Sequence, residues 1–190
     1  GTRGFIGSHV VNGVALAFPE RQVYALIRGK SAPKFELPNI STLTCDLLES
    51  DLKKTLPSSI HTLLHFAAIS NTFLANDDVN RQFFNNLLMT SALVKFAKST
   101  KVKIFGLASS VYIYSGLSST PFKEDHIEIP GESLGASKIA AEAILKMDDS
   151  HSVLLVTFTN AAAGEMKQRI EKRLGKQMAR RTKSATFASL

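Results

Sequence analysis

The chain has 190 residues, 44% apolar and 21% charged, which is the composition of one water-soluble domain with a sizeable core. Its single cysteine, Cys45, excludes an internal disulfide and fits a reducing cytoplasm. No run of about 18 apolar residues exists, so no membrane span is expected, and the glycine-rich start does not read as a signal peptide. The net charge of +7 is unevenly placed. Residues 1–150 hold 15 basic and 14 acidic side chains, a balance of +1, whereas residues 151–190 hold 8 and 2, a balance of +6. A nearly neutral body suits a small-molecule enzyme. A basic tail suits either a nucleic-acid contact or a solvated helix face.

Three glycines, Gly1, Gly4 and Gly7, open the chain, and a helical stretch from Ser8 to Phe18 follows them. Gln22 to Ile27 is a short apolar strand ending at Arg28, and Ser41 to Cys45 is another, ending at Asp46. Thr62 to Ala67 is a third apolar run of strand length. Phe84 to Ser99 reads as a long helix, Lys103 to Ala108 as a strand and Ser137 to Met147 as a helix. Ser152 to Phe158 is the last strand, followed by a basic helix from about Ala161 to Gln177. Strands alternating with helices predict an α/β fold, a mostly parallel, doubly wound sheet with helices on both faces.

Glycines spaced G-x-x-G-x-x-G before a helix make either a phosphate cradle or a plain turn into the helix. In a cradle they let backbone approach a pyrophosphate, and the helix terminus adds free N–H groups and positive dipole. Arg28 lies about 20 residues past the glycines, where a ribose contact is expected. An acid there favours NAD. Arg28 with Lys30 pairs instead with a 2′-phosphate, or the two are solvated bases in a loop.

The full string GTRGFIGSHVV is similar to the glycine loop of the extended short-chain dehydrogenases, and the resemblance continues in order to about residue 148. It is to the NAD-dependent epimerases and dehydratases of nucleotide sugars, and it implies a Rossmann-like fold. Phe5 and Ile6 are the pair between the second and third glycines. Asp46 and Leu47 match the adenine-contacting position, and His65-Phe66-Ala67-Ala68 matches a fourth-strand end whose small residues let the cofactor lie close. Ala108-Ser109-Ser110, then Ile113-Tyr114, matches the fifth-strand end, which places Ser110 at the catalytic serine. Ser133 to Lys138, then Glu142, matches the Y-x-x-x-K helix, with Lys138 as the lysine.

The resemblance thus implies Gly1, Gly4, Phe5, Ile6, Gly7, Arg28, Asp46, Leu47, Phe66, Ala67, Ala68 and Lys138 as cofactor residues. The cofactor is NAD or NADP, with Arg28 favouring NADP. The family uses a tyrosinate as base on a sugar hydroxyl, a lysine that lowers the tyrosine pKa, and a serine that hydrogen-bonds the reacting oxygen. Here the tyrosine position is Leu134, which has no titratable group, so impaired turnover is expected. Met89 replaces a family glycine in the long helix, and Ser115 replaces the one after Tyr114. A glycine loop of this kind follows a central strand, and the chain begins inside the loop, so a sheet truncated before its first strand is expected. Relatives that dimerise through two helices point to Phe84–Ser99 and Ser137–Met147 as a homodimer face.

The histidines show no metal-binding pattern. His61 and His65 are four apart in a strand-like run, about 13 Å in span, too far to share one ion. The segment from residue 152 to 190 carries its own resemblance. Thr157-Phe158-Thr159-Asn160, Ala162-Ala163 and Glu165-Met166, then Thr186-Phe187-Ala188-Ser189, is similar to segments of UvrD/Rep-like superfamily 1 DNA helicases. That resemblance implies single-stranded nucleic acid as an alternative partner. Without a G-x-x-x-x-G-K-[ST] loop it implies no ATP hydrolysis. Either two gene fragments are fused between Met147 and Ser152, the reading favoured by the length of the string, or one divergent chain matches by chance.

Overall fold

The computed structural model describes residues 1–29, 35–70, 76–118 and 126–147 and the backbone of two further strands, 152–157 and 182–186. The chain forms two compact units. The first comprises Gly1–Ser58 with Phe66–Ala68, and the second Ser59–His65 with Ile69–Leu190.

In the first unit, α1 (Phe5–Ala17) buries Gly7, Val11 and Ala15, one residue per turn along a single stripe. The helix therefore starts inside the glycine motif, three residues before the expected Ser8. β1 (Val23–Ile27) alternates as a half-buried strand should, with Ala25 and Ile27 inward and Tyr24 outward. It pairs in parallel with β2 (Ile40–Thr44), from Val23 opposite Ile40 to Ile27 opposite Thr44. The Asn39 side chain donates to the carbonyls of Ala15, Phe18 and Arg21, at 3.0, 3.3 and 3.1 Å. It closes the end of α1 onto the start of β2, a role that composition alone does not reveal. A short helix, α2 (Leu52–Thr55), begins at Asp51, whose carboxylate accepts from the Lys53 N–H.

In the second unit, β3 (Thr62–His65), β4 (Ile104–Leu107), β5 (Ser152–Thr157) and β6 (Thr182–Thr186) form one parallel sheet in chain order. β3 alternates strictly, with Leu63 and His65 buried and Thr62 and Leu64 exposed. The expected run to Ala67 stops at His65, and Phe66–Ala68 leave the strand. β4 is buried at Phe105, Gly106 and Leu107 in succession, as a strand covered on both faces should be. β6 was not expected from the sequence, and the expected basic helix lies outside the described residues.

Two helices pack against each other in this unit. α3 (Asn76–Thr100) starts eight residues before the predicted Phe84, and α4 (Ser133–Met147) starts four before the predicted Ser137. The extra turn brings position 134 into α4. α3 ends on Lys101 at φ 56°, with the Val102 N–H bonding back to Ala97 at 3.0 Å, a left-handed cap of the kind usually built on glycine. The core gathers Leu93, Phe96, Ala97, Phe105, Leu107, Ala141 and Leu145. No described helix is long and apolar enough to cross a membrane.

Candidate functional site

The glycine loop is built from backbone. Gly4 is the N-cap of α1, its N–H donates to the Gly1 carbonyl at 3.0 Å, and its own carbonyl accepts from Ser8. A Cβ on Gly7 would fall 2.1 Å from the Gly1 oxygen, so no other residue fits there without moving the loop. The Thr2 hydroxyl donates to the Leu26 carbonyl, which ties the loop to the end of β1. The helix start has no side-chain cap and no acidic residue in its first turn. Its N–H groups and dipole are thus left for an anion. This cradle fits the pyrophosphate of a dinucleotide.

Gly1 and Gly4 are exposed, as are Phe5 and Ile6, Phe5 at 82%. Arg28 is exposed just past β1, and Lys30 lies outside the described residues. Asp46 follows β2. Its carboxylate accepts from the Leu48 N–H at 3.0 Å, and its own N–H donates to the Ser50 hydroxyl at 3.0 Å. That carboxylate shapes its own turn. Leu47, Phe66, Ala67 and Ala68 are half-buried. Among the cofactor residues expected in this unit, contact is seen at Gly1, which faces the backbone of Phe66 and Ala67.

The second unit places the expected catalytic positions on adjacent elements. Ser110 caps a short 3-10 helix (Val111–Tyr114) after β4, accepting from the Tyr112 N–H at 3.3 Å. Lys138, on α4, is only 6% exposed, and its ammonium donates to the Ala108 carbonyl at 2.7 Å. Lysine and serine are therefore anchored two residues apart on the same strand end. Burial pushes Lys138 down from 10.5 to about 8, against the pull of the Glu142 carboxylate. Leu134 is buried one turn before Lys138. A Cβ on Gly135, between them, would fall 2.2 Å from the Tyr112 carbonyl, so α4 rests directly on the 3-10 helix.

Buried polar side chains brace this arrangement. Asn86, on α3, accepts from the Ile69 N–H at 2.8 Å and donates to the Ile69 carbonyl at 3.1 Å and to the Ser137 hydroxyl at 3.2 Å. Thr90, one turn on, donates to the Asn86 carbonyl and meets His65 Nε2 at 3.1 Å. Burial, and then the Lys138 charge, push His65 down from 6.5 to about 3, so it is a neutral packing residue. The two departures in this region have physical accommodations. Met89 is buried in the core. The Ser115 hydroxyl donates to the Tyr112 carbonyl at 2.8 Å and accepts from the Gly131 N–H at 2.8 Å. Ser137 escaped the sequence reading, because a serine inside a helix carries no signal until its partner on another helix is known.

The comparisons with known proteins agree with this frame. The NAD dependent epimerase/dehydratase family matches residues 1–188. A UDP-glucose 4-epimerase of Yersinia pestis is 27% identical over 158 residues, 77% of this chain and 46% of that protein. Among solved structures, MoeE5 in complex with UDP-glucose and NAD is 26% identical with a TM-score of 0.68, over 83% of this chain and 52% of that one. A UDP-glucuronic acid 4-epimerase from Bacillus cereus in complex with NAD is 24% identical with a TM-score of 0.69, over 83% and 54%. The chain spans less than half the length of the curated relatives it matches and about half of these solved structures. The helicase resemblance of residues 152–190 finds no support in these matches. The epimerase family extends through that segment to residue 188, and β5 and β6 continue the parallel sheet. With a glycine cradle, a Rossmann-like parallel fold and a family match along almost its whole length, this chain belongs to the NAD-dependent epimerase/dehydratase family.

Proposed function

We propose that this chain is an NAD(P)-binding, epimerase/dehydratase-like protein for a nucleotide-linked sugar, with turnover impaired at position 134. The observation that carries the reading is the Lys138–Ala108 bond beside Ser110, with a buried leucine one turn before the lysine. Gly1, Gly4 and Gly7, with the start of α1, would hold the pyrophosphate. Phe5, Ile6, Asp46, Leu47, Phe66, Ala67 and Ala68 would line the rest of the dinucleotide. Arg28 would pair with a 2′-phosphate, which favours NADP over NAD. When bound, the nicotinamide supplies the hydride acceptor and donor.

Ser110 would donate a hydrogen bond to the reacting sugar oxygen. Its hydroxyl proton is available for this, because the contact seen in the structure uses the oxygen as acceptor. Lys138 would bind the nicotinamide ribose and supply positive charge. Neither replaces the phenolate that takes the sugar proton, because Leu134 has nothing to titrate. MoeE5 is solved with UDP-glucose and NAD, and the Bacillus cereus UDP-glucuronic acid 4-epimerase with NAD, which supports the substrate class.

Thermal unfolding with and without each nucleotide tests the reading, since a ligand of the native state raises its stability. A larger rise with NADP(H) than with NAD(H) is expected. No rise with either would reject the cofactor site.

Self-association belongs to the same reading. Phe84 and Leu88, one turn apart on α3, are each 55% exposed, a large apolar area for a free surface. A second copy of this chain would cover it.

A further inference from the structure

Glu142 stands one turn past Lys138 on α4, and its side chain is only 11% exposed. One of its oxygens accepts from the Ser109 hydroxyl, and the other meets the Lys146 ammonium at 3.6 Å. Ser109 lies between Ala108, whose carbonyl holds Lys138, and Ser110. Two consecutive residues at the end of β4 are thus gripped by two residues one turn apart on α4. A single bond would leave the strand end free to pivot. Two bonds in register fix both its distance from the helix and its rotation.

We propose that Glu142 is a positioning residue for Ser110 and Lys138, clasping the end of β4 to α4 through Ser109 one helical turn past the lysine. The inference rests on the functional reading above for the roles of Ser110 and Lys138. The charge has a definite task. A buried ammonium is costly unless compensated, and the Ala108 carbonyl contributes only a dipole. His65, from β3, is neutral, and the α3 side chains bonded in this region, Asn86 and Thr90, carry no charge. Lys146, a further turn along, is 38% exposed and screened by water. Among the described residues, Glu142 is thus the carboxylate whose charge favours the Lys138 ammonium.

The test reads Lys138 itself, in the full chain without nucleotide. Carbon NMR of the lysine ε-carbons gives its titration midpoint, with the signal assigned by its loss in Lys138→Met. Glu142→Gln keeps the size and one hydrogen-bonding oxygen but removes the charge, which pulls Lys138 upward against burial, so the midpoint is expected below the parent's. A purely structural role predicts the opposite sign, because loosened packing would hydrate Lys138 and raise its midpoint towards 10.5. Glu142→Asp, which restores the charge, should bring the midpoint back towards the parent's. Ser109→Ala cuts the clasp and leaves the charge, and faster amide exchange is expected across residues 109–114. A midpoint in Glu142→Gln that stays or rises, or unchanged exchange in Ser109→Ala, overturns the proposal. Neither readout needs a cofactor, so failure of nucleotide binding leaves this test intact.

Discussion

Leu134 and Lys138 face the same problem from adjacent turns of α4. Both are buried, at 5% and 6% exposure, and only the lysine carries a polar group, which it spends on the Ala108 carbonyl. On the proposed reading, hydrocarbon fills the place of the family's phenol. Leu134→Tyr is expected to raise nucleotide-sugar turnover by about 10²-fold or more, the usual worth of a positioned acid–base group. The substitution should cost about 1–3 kcal/mol of stability through overpacking. Leu134→Phe is the control, with the ring but no hydroxyl, and no gain is expected from it. Coupled assays of UDP-glucose conversion would read both.

Cofactor choice should follow Arg28. It is exposed and makes no ion pair among the described residues, so its charge is free to meet a phosphate. Arg28→Glu is expected to weaken NADP(H) binding by about tenfold or more, the worth of one charge-assisted hydrogen bond, and to spare NAD(H). Titration calorimetry with the two nucleotides checks this. Equal losses for both would count against a 2′-phosphate contact.

Stability should fall on the acid side through His65. Its value is about 3 when folded against 6.5 when free, so between these the unfolded chain binds the extra proton. The contribution is complete above 6.5 and is lost progressively as pH drops towards 3. His65→Leu should flatten that slope in melting temperature against pH. Lys138 acts with the same sign in another window, since its folded value of about 8 lies below 10.5, and stability should climb as pH rises between them.

How much of this was legible in the sequence depends on the kind of signal. Gly1, Gly4 and Gly7 could be read because a phosphate cradle needs fixed spacing, and Lys138 because it lies four residues after the position where a tyrosine is expected. Strand interiors showed as apolar runs such as Leu63 to His65. Helix starts did not, because the first turns of α3 and α4 each hold one larger apolar residue, Val79 and Leu134, among polar or small ones, too few to show a stripe. Asn39, Asn86 and Ser137 work through partners distant in sequence, at up to 51 residues for the Asn86–Ser137 bond, which no local pattern encodes. The register of β6 beside β5 is likewise a tertiary fact.

The end of α3 offers a stability gain. Lys101 holds a left-handed φ of 56°, a conformation that strains any residue with a Cβ. Lys101→Gly is expected to stabilise the chain by about 1 kcal/mol, measured by chemical denaturation. A loss of stability would mean that the side chain contributes more than its strain costs.

The exposed pair on α3 should govern self-association. Phe84→Glu with Leu88→Glu puts charge on the apolar face without touching the core. Sedimentation equilibrium is expected to show a dimer for the parent chain and a monomer for the double variant. A monomeric parent would dismiss the homodimer.

Gly135 and Leu134 are neighbours on α4 that the fold holds to different standards. With the Tyr112 carbonyl 2.2 Å from where its Cβ would be, any side chain at 135 disturbs the backbone at once. Lys138 is likewise held by its bond to the strand end. Position 134 asks only for something apolar that fills space. Folding alone thus constrains position 135 through backbone clearance and position 138 through a buried bond, and leaves 134 open to any apolar side chain that fits.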